Sequence, residues 1–157
     1  MLNKTKISLI IGTALLLVGC IKDDNFDVVP LIEFQGFEVF KSSENAIDSA
    51  KFEFTFQDGD GDIGAIDSSE FNCFLIYEEK HLDSIITLSS VPNRAYSIPN
   101  LTPNAKDKNI EGVISLTIKP APIYSLLNDS MYRYSCYIID RANHYSDTIS
   151  CNWQTKD

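Results

Sequence analysis

The run Phe56-Gln57-Asp58-Gly59-Asp60-Gly61-Asp62-Ile63-Gly64 spaces three carboxylates by single glycines. Glycine adopts backbone angles that other residues resist, so such a run can turn tightly and aim its acids at one point. Calcium takes six to eight oxygens at about 2.3–2.6 Å, and a loop of alternating Asp supplies several of them. Three carboxylates this close repel one another, and a divalent cation removes that penalty. The loop is not an EF-hand. With Asp58 as position 1, position 6 is Ile63 where that motif needs Gly, and position 12 is Ser69 where it needs Glu. Asp67 or Glu70 can close the shell. The competing reading is a solvated turn, because Asp and Gly both favour turns.

A second polar stretch, Asp140-Arg141-Ala142-Asn143-His144-Tyr145-Ser146, lies between the last two apolar runs. Asn143 and Ser146 suit hydrogen bonding to their own turn. In an immunoglobulin-like sandwich the loops after the second and the penultimate strands lie at the same end, which would turn Asp140 toward Asp58, Asp60 and Asp62. The expected ligand set for a structural calcium is therefore Asp58, Asp60, Asp62, Asp67 and Asp140.

Other chemistry is sparse. The two histidines, His81 and His144, stand in neither a Ser-His-Asp nor a Cys-His motif, and no His/Cys spacing matches a zinc site. Carboxylates separated by single glycines suit cation ligation better than the acid and base of a glycosidase. The expectation is a protein that is not an enzyme. Cys73, Cys136 and Cys151 allow at most one disulfide with one thiol left over, and read equally as small core residues.

The elements that must position these residues are strands. Helical periodicity is nearly absent, and short runs rich in Val, Ile, Phe, Tyr and Thr alternate with Asp, Gly, Asn, Ser and Pro clusters. Ile32 to Phe40 puts Ile32 and Phe34 on one face and, past Gly36, Phe37 and Val39; Gly36 marks a bulge or a strand switch. Lys51 to Phe56 sets Phe52, Phe54 and Phe56 inward. Phe71 to Tyr77 is apolar on both faces, as for a central strand. Ile85 to Leu88 and Tyr96 to Ile98 are short edge segments. Ile110 to Ile118 sets Ile114, Leu116 and Ile118 against Val113 and Ser115. Met131 to Asp140 places Tyr132, Tyr134, Cys136 and Ile138 on one side, and Thr148 to Trp153 turns Ile149, Cys151 and Trp153 inward. Ile123 to Asn128 is the one helical turn expected. The fold class is all-β: an immunoglobulin or fibronectin-III-like antiparallel β-sandwich of seven to eight strands over residues 31–157.

The amino end carries a different kind of chemistry. Lys4 and Lys6 precede an uncharged run of twelve residues, Ile7 to Val18, too short to cross a bilayer as a helix. A basic start, a short apolar stretch and a small residue before a cut form a secretory signal. Leu17-Val18-Gly19-Cys20 resembles a lipobox, which makes residues 1–19 a signal peptide and Cys20 the acylated first residue of the mature chain. Residues 20–30 are expected to be a flexible tether, anchored to the membrane by several acyl chains. Lys22, Asp23 and Asp24 resemble the surface-export signal of Bacteroidota lipoproteins, and read alternatively as a solvated linker. The expected location is the outer membrane, lipid-anchored and facing the cell surface; the alternative is a periplasm-facing component of an envelope complex.

The whole chain has a net charge of −9, and loss of Lys4 and Lys6 makes the remainder more acidic. That balance excludes nucleic acid and polyanionic glycans as partners, since both need a basic footprint. An envelope protein or another glycan is the expected partner class.

Four motifs taken together carry a family resemblance: FxDGDGDIG, the segment Ile98-Pro99-Asn100-Leu101-Thr102-Pro103, IEGxISLxI from Ile110 to Ile118, and IIDRAxxxS from Ile138 to Ser146. The chain is similar to small Bacteroidota lipoproteins of unknown function with an immunoglobulin-like domain. It departs from the expected pattern at the last turn, where Asn143-His144 stands in place of a Gly-Asn pair. Asp48-Ser49-Ala50, Asp83-Ser84-Ile85, Asp129-Ser130-Met131 and Asp147-Thr148-Ile149 resemble the O-glycosylation sequon of that bacterial group, which would make Ser49, Ser84, Ser130 and Thr148 acceptors.

Overall fold

The computed structural model describes residues 25–41, 48–87, 93–102, 109–120 and 130–156. The expected signal peptide, Cys20, Lys22, Asp23, Asp24 and the helical turn expected at Ile123 to Asn128 lie outside them. Nine strands occur among the described residues: β1 (Leu31–Phe40), β2 (Ser49–Asp58), β3 (Cys73–His81), β4 (Ser84–Thr87), β5 (Arg94–Tyr96), β6 (Ile110–Ile118), β7 (Ser130–Ile138), β8 (Ile149–Ser150) and β9 (Gln154–Thr155). One sheet has the order β1-β2-β6. The other runs β4-β3-β7-β8, with β5 pairing β3 and β9 pairing β7. The ladders between named strands are antiparallel.

The short strands share edges. β4 and β5 both lie on β3, and β8 and β9 both lie on β7, which reduces the fold to seven strand lines in two packed sheets. This is the β-sandwich expected from the alternating runs.

The core follows from period-two alternation. Along β2 the inward positions are Ala50, Phe52, Phe54, Phe56 and then Asp58. Along β7 they are Tyr132, Tyr134, Cys136 and Ile138. Phe37 bridges the sheets, its ring 5.6 Å from Tyr134 and 6.5 Å from Phe52. Gly36 sits at a register shift on β1, which lets Phe34 and Phe37 both face the core despite their odd spacing. Cys73, Cys136 and Cys151 are all buried free thiols, with Cys73 and Cys136 Sγ atoms 3.7 Å apart. The hydrogen bond with the Cys73 thiol, and then burial, push the Cys136 thiol far up, so it packs as a neutral core group.

Trp153 departs from the expected inward face. β8 pairs Ser150 with Ser135, whereas β9 pairs Gln154 with Tyr132, so the ladder gains one residue between them. A one-residue slip reverses which face a side chain takes. Trp153 is half-buried beneath the Arg133 guanidinium, 4.6 Å from the ring centre.

Part of the expected tether is also packed. Pro30 is fully buried, and the Asp27 carbonyl accepts a hydrogen bond from the Gly59 amide at 2.8 Å. The ordered body therefore begins before residue 31.

Candidate metal centre

The inward stripe of β2 ends in an acid because Asp58 occupies the next inward position after Phe56. Asp140 does the same for β7, two residues beyond the inward-facing Ile138. Both strand ends belong to the same end of the sandwich, and Asp62 joins them from the loop after β2. Carboxylate oxygens of Asp58, Asp62 and Asp140 lie within 4.8 Å of one another. Oxygens bound to one calcium at 2.3–2.6 Å can stand at most about 5 Å apart, so this spacing fits around a single ion.

Asp58 is the deepest member, with no solvent exposure. Its Oδ2 accepts the Asp62 amide at 2.8 Å and the Ile63 amide at 3.4 Å, which folds the loop back over the strand end. Oδ1 of Asp58, Oδ1 of Asp60 and Oδ1 of Asp62 are buried without a hydrogen-bond partner among the described residues. A buried, unpaired carboxylate oxygen is costly, and three in one short loop concentrate negative charge at the end of β2. Burial raises the Asp58 carboxyl above its ordinary range, partly offset by the Asp62 amide. Asp62 is pushed up to about 6, first by burial and then by the charges of Asp140, Asp60 and Asp58. Both shifts come first from burial, and repulsion among the neighbouring acids adds to it.

Backbone geometry fixes the loop. Gly61 and Gly64 have φ of 68° and 111°, which side chains resist, and a Cβ on Gly64 would strike the Pro99 carbonyl. Thr102 donates its hydroxyl to Gly61 O at 2.7 Å, and Ala65 donates its amide to Ile98 O at 2.8 Å. From the other loop, Arg141 donates its amide to Asp62 O at 3.3 Å and its guanidinium to Gly64 O at 3.1 Å.

Asp140 is held by His144. Its Oδ1 accepts the His144 amide at 2.8 Å, and its Oδ2 lies 2.8 Å from the His144 Nδ1. The hydrogen bond to Asp140 raises the His144 pKa. A carboxylate has about four lone-pair sites, so these contacts leave Asp140 able to ligate. Asn143 takes φ of 68°, a backbone state Asn tolerates, and this explains why the turn works without Gly.

The expected ligands divide. Asp58, Asp62 and Asp140 come together; Asp60 is not one of that trio, although it carries a buried unpaired oxygen and its charge acts on Asp58 and Asp62. Asp67 does not join the cluster: it is exposed, its Oδ1 accepts the Ser69 amide at 2.9 Å, and that bond lowers its pKa. Glu70 lies with Ile66, Phe71 and Arg141 around a cleft beside Asp140. Sequence reasoning missed His144 and Gly59. The first had a signal in the four-residue spacing from Asp140; the second had none, because its partner is the backbone at Phe26 and Asp27. Of the expected glycosylation acceptors, Ser84 and Thr148 are exposed, Ser49 is half-buried, and Ser130 begins β7.

No family model, curated protein or solved structure matches this chain.

Proposed function

We propose that this protein is a non-catalytic β-sandwich binding or accessory module, stabilised by one calcium ion and lipid-anchored through Cys20 at the outer membrane, facing the cell surface. The observation that supports the ion is Asp58: a carboxylate with no solvent exposure and an unpaired Oδ1, with an oxygen within 4.8 Å of carboxylate oxygens of Asp62 in its own loop and Asp140 in the far loop. The unpaired oxygens are all buried, which suits an ion enclosed as a structural element. An ion bridging to an outside partner would need them exposed. Asp58, Asp62 and Asp140 would hold it, with Asp60 as a further ligand. The ion would supply positive charge where three carboxylates converge, and so join the ends of β2 and β7 across the two sheets. His144 and Arg141 position the second loop. The anchor and export readings rest on the sequence around Cys20, Lys22, Asp23 and Asp24.

Thermal melting with calcium and with a chelator tests the ion. Binding to the native state alone adds about 2.7 kcal/mol at a hundredfold excess over the dissociation constant. Chelation should lower the melting temperature, Asp60→Ala and Asp140→Ala should each weaken the calcium response, and magnesium should substitute poorly because it demands stricter octahedral geometry. Identical melting with and without calcium would reduce the loop to an acidic turn.

A further inference from the structure

The loop that gathers the acids is also the seat of the segment preceding the first strand. Gly59, between Asp58 and Asp60, donates its amide to Asp27 O at 2.8 Å. A Cβ on Gly59 would collide with the Phe26 carbonyl, so the two backbones touch only because this residue has no side chain. Asp27 then accepts the Val29 amide on its Oδ1 at 2.9 Å, forming the turn into the buried Pro30 and β1. The seat for residues 26–30 is thus made by the backbone between two acidic positions.

We propose that cation binding at the acidic cluster locks residues 26–30 onto the sandwich, so that the metal controls how the domain is held by the chain before it. This rests on the calcium reading above. With the ion bound, the carboxylates converge and Gly59 presents its amide to Asp27. Without it, repulsion among the buried acids loosens the loop and weakens the hold of that amide on Asp27. Coupling is reciprocal: the factor by which calcium favours docking is the factor by which docking tightens calcium.

Hydrogen exchange on the full chain in detergent, with calcium or with chelator, measures the docking directly. Exchange of the Gly59 amide, the donor of the docking hydrogen bond, should quicken on chelation by about tenfold, within the usual range of coupling factors, while β3 and β7 peptides hold their protection. In Gly59→Ala the amide at position 59 should exchange rapidly under both conditions, and calcium should bind more weakly by the same factor. Calorimetric calcium binding with unchanged exchange of the Gly59 amide overturns the coupling and leaves the ion site standing. A Gly59→Ala protein that binds calcium as tightly as wild type also overturns it. Absence of any calcium heat overturns the cation reading itself. The wild-type comparison decides the coupling even where Gly59→Ala loses β3 protection and unfolds.

Discussion

Asp62 offers a perturbation whose effect should change sign with the metal. Its carboxyl titrates near 6, against an ordinary 3.8, because burial and the charges of Asp140, Asp60 and Asp58 oppose ionisation. A folded-state pKa above the unfolded one means that ionising the group costs folding free energy. The penalty is absent below about pH 4, grows between 4 and 6, and is complete above. At 1.36 kcal/mol per pKa unit the full shift corresponds to about 3 kcal/mol, which partial solvent screening reduces to about 1–2 kcal/mol. Asp62→Asn removes the charge and keeps the shape, so with chelator at pH 7.5 it should raise stability by about that amount. For a chain of this size that is roughly 3–8 °C in melting temperature. The gain should vanish near pH 4. With saturating calcium the order reverses, since Asn is a weaker, neutral ligand and most of the metal's stabilisation is lost. Calorimetric melting of both proteins at pH 4 and 7.5, with and without calcium, reads all these outcomes. A variant that is destabilised equally in chelator and in calcium, at both pH values, would refute the reasoning.

Cys20→Ala should give a protein that neither incorporates labelled fatty acid nor sediments with membranes; retained labelling would remove the lipobox reading. Replacing Lys22, Asp23 and Asp24 by Ala should lower antibody access on whole cells while acylation continues, and unchanged access would leave those residues as linker. Phe54, fully buried between the sheets, should cost about 3–5 kcal/mol on truncation to Ala; a loss below about 1 kcal/mol by denaturant titration would contradict the packing.

The sandwich was legible because alternation on β2, β6 and β7 is nearly unbroken, and a buried face must follow that period. The meeting of Asp58 with Asp140 was legible for the same reason. Each continues an apolar stripe by one inward position, and sandwich topology brings the two loops to one end. Trp153 was misread because the ladder slips between β8 and β9, where no Gly or Pro in Cys151-Asn152-Trp153 marks the break. Asp67 looked like a ligand from its proximity in sequence, yet Ser69 satisfies it locally. The buried Glu79, 2.6 Å from both the Tyr77 hydroxyl and the Lys156 ammonium, also escaped notice. It sits in the inward phase of β3, but its cation comes from the far end of the chain, which no local pattern reveals.

The most direct measurement is anomalous diffraction from crystals grown with saturating calcium. One peak at about 2.3–2.6 Å from carboxylate oxygens of Asp58, Asp62 and Asp140 is the predicted result. Contradiction would be a cluster free of anomalous density at that concentration, with Asp58 Oδ1 hydrogen-bonded instead to water or to a protonated Asp62.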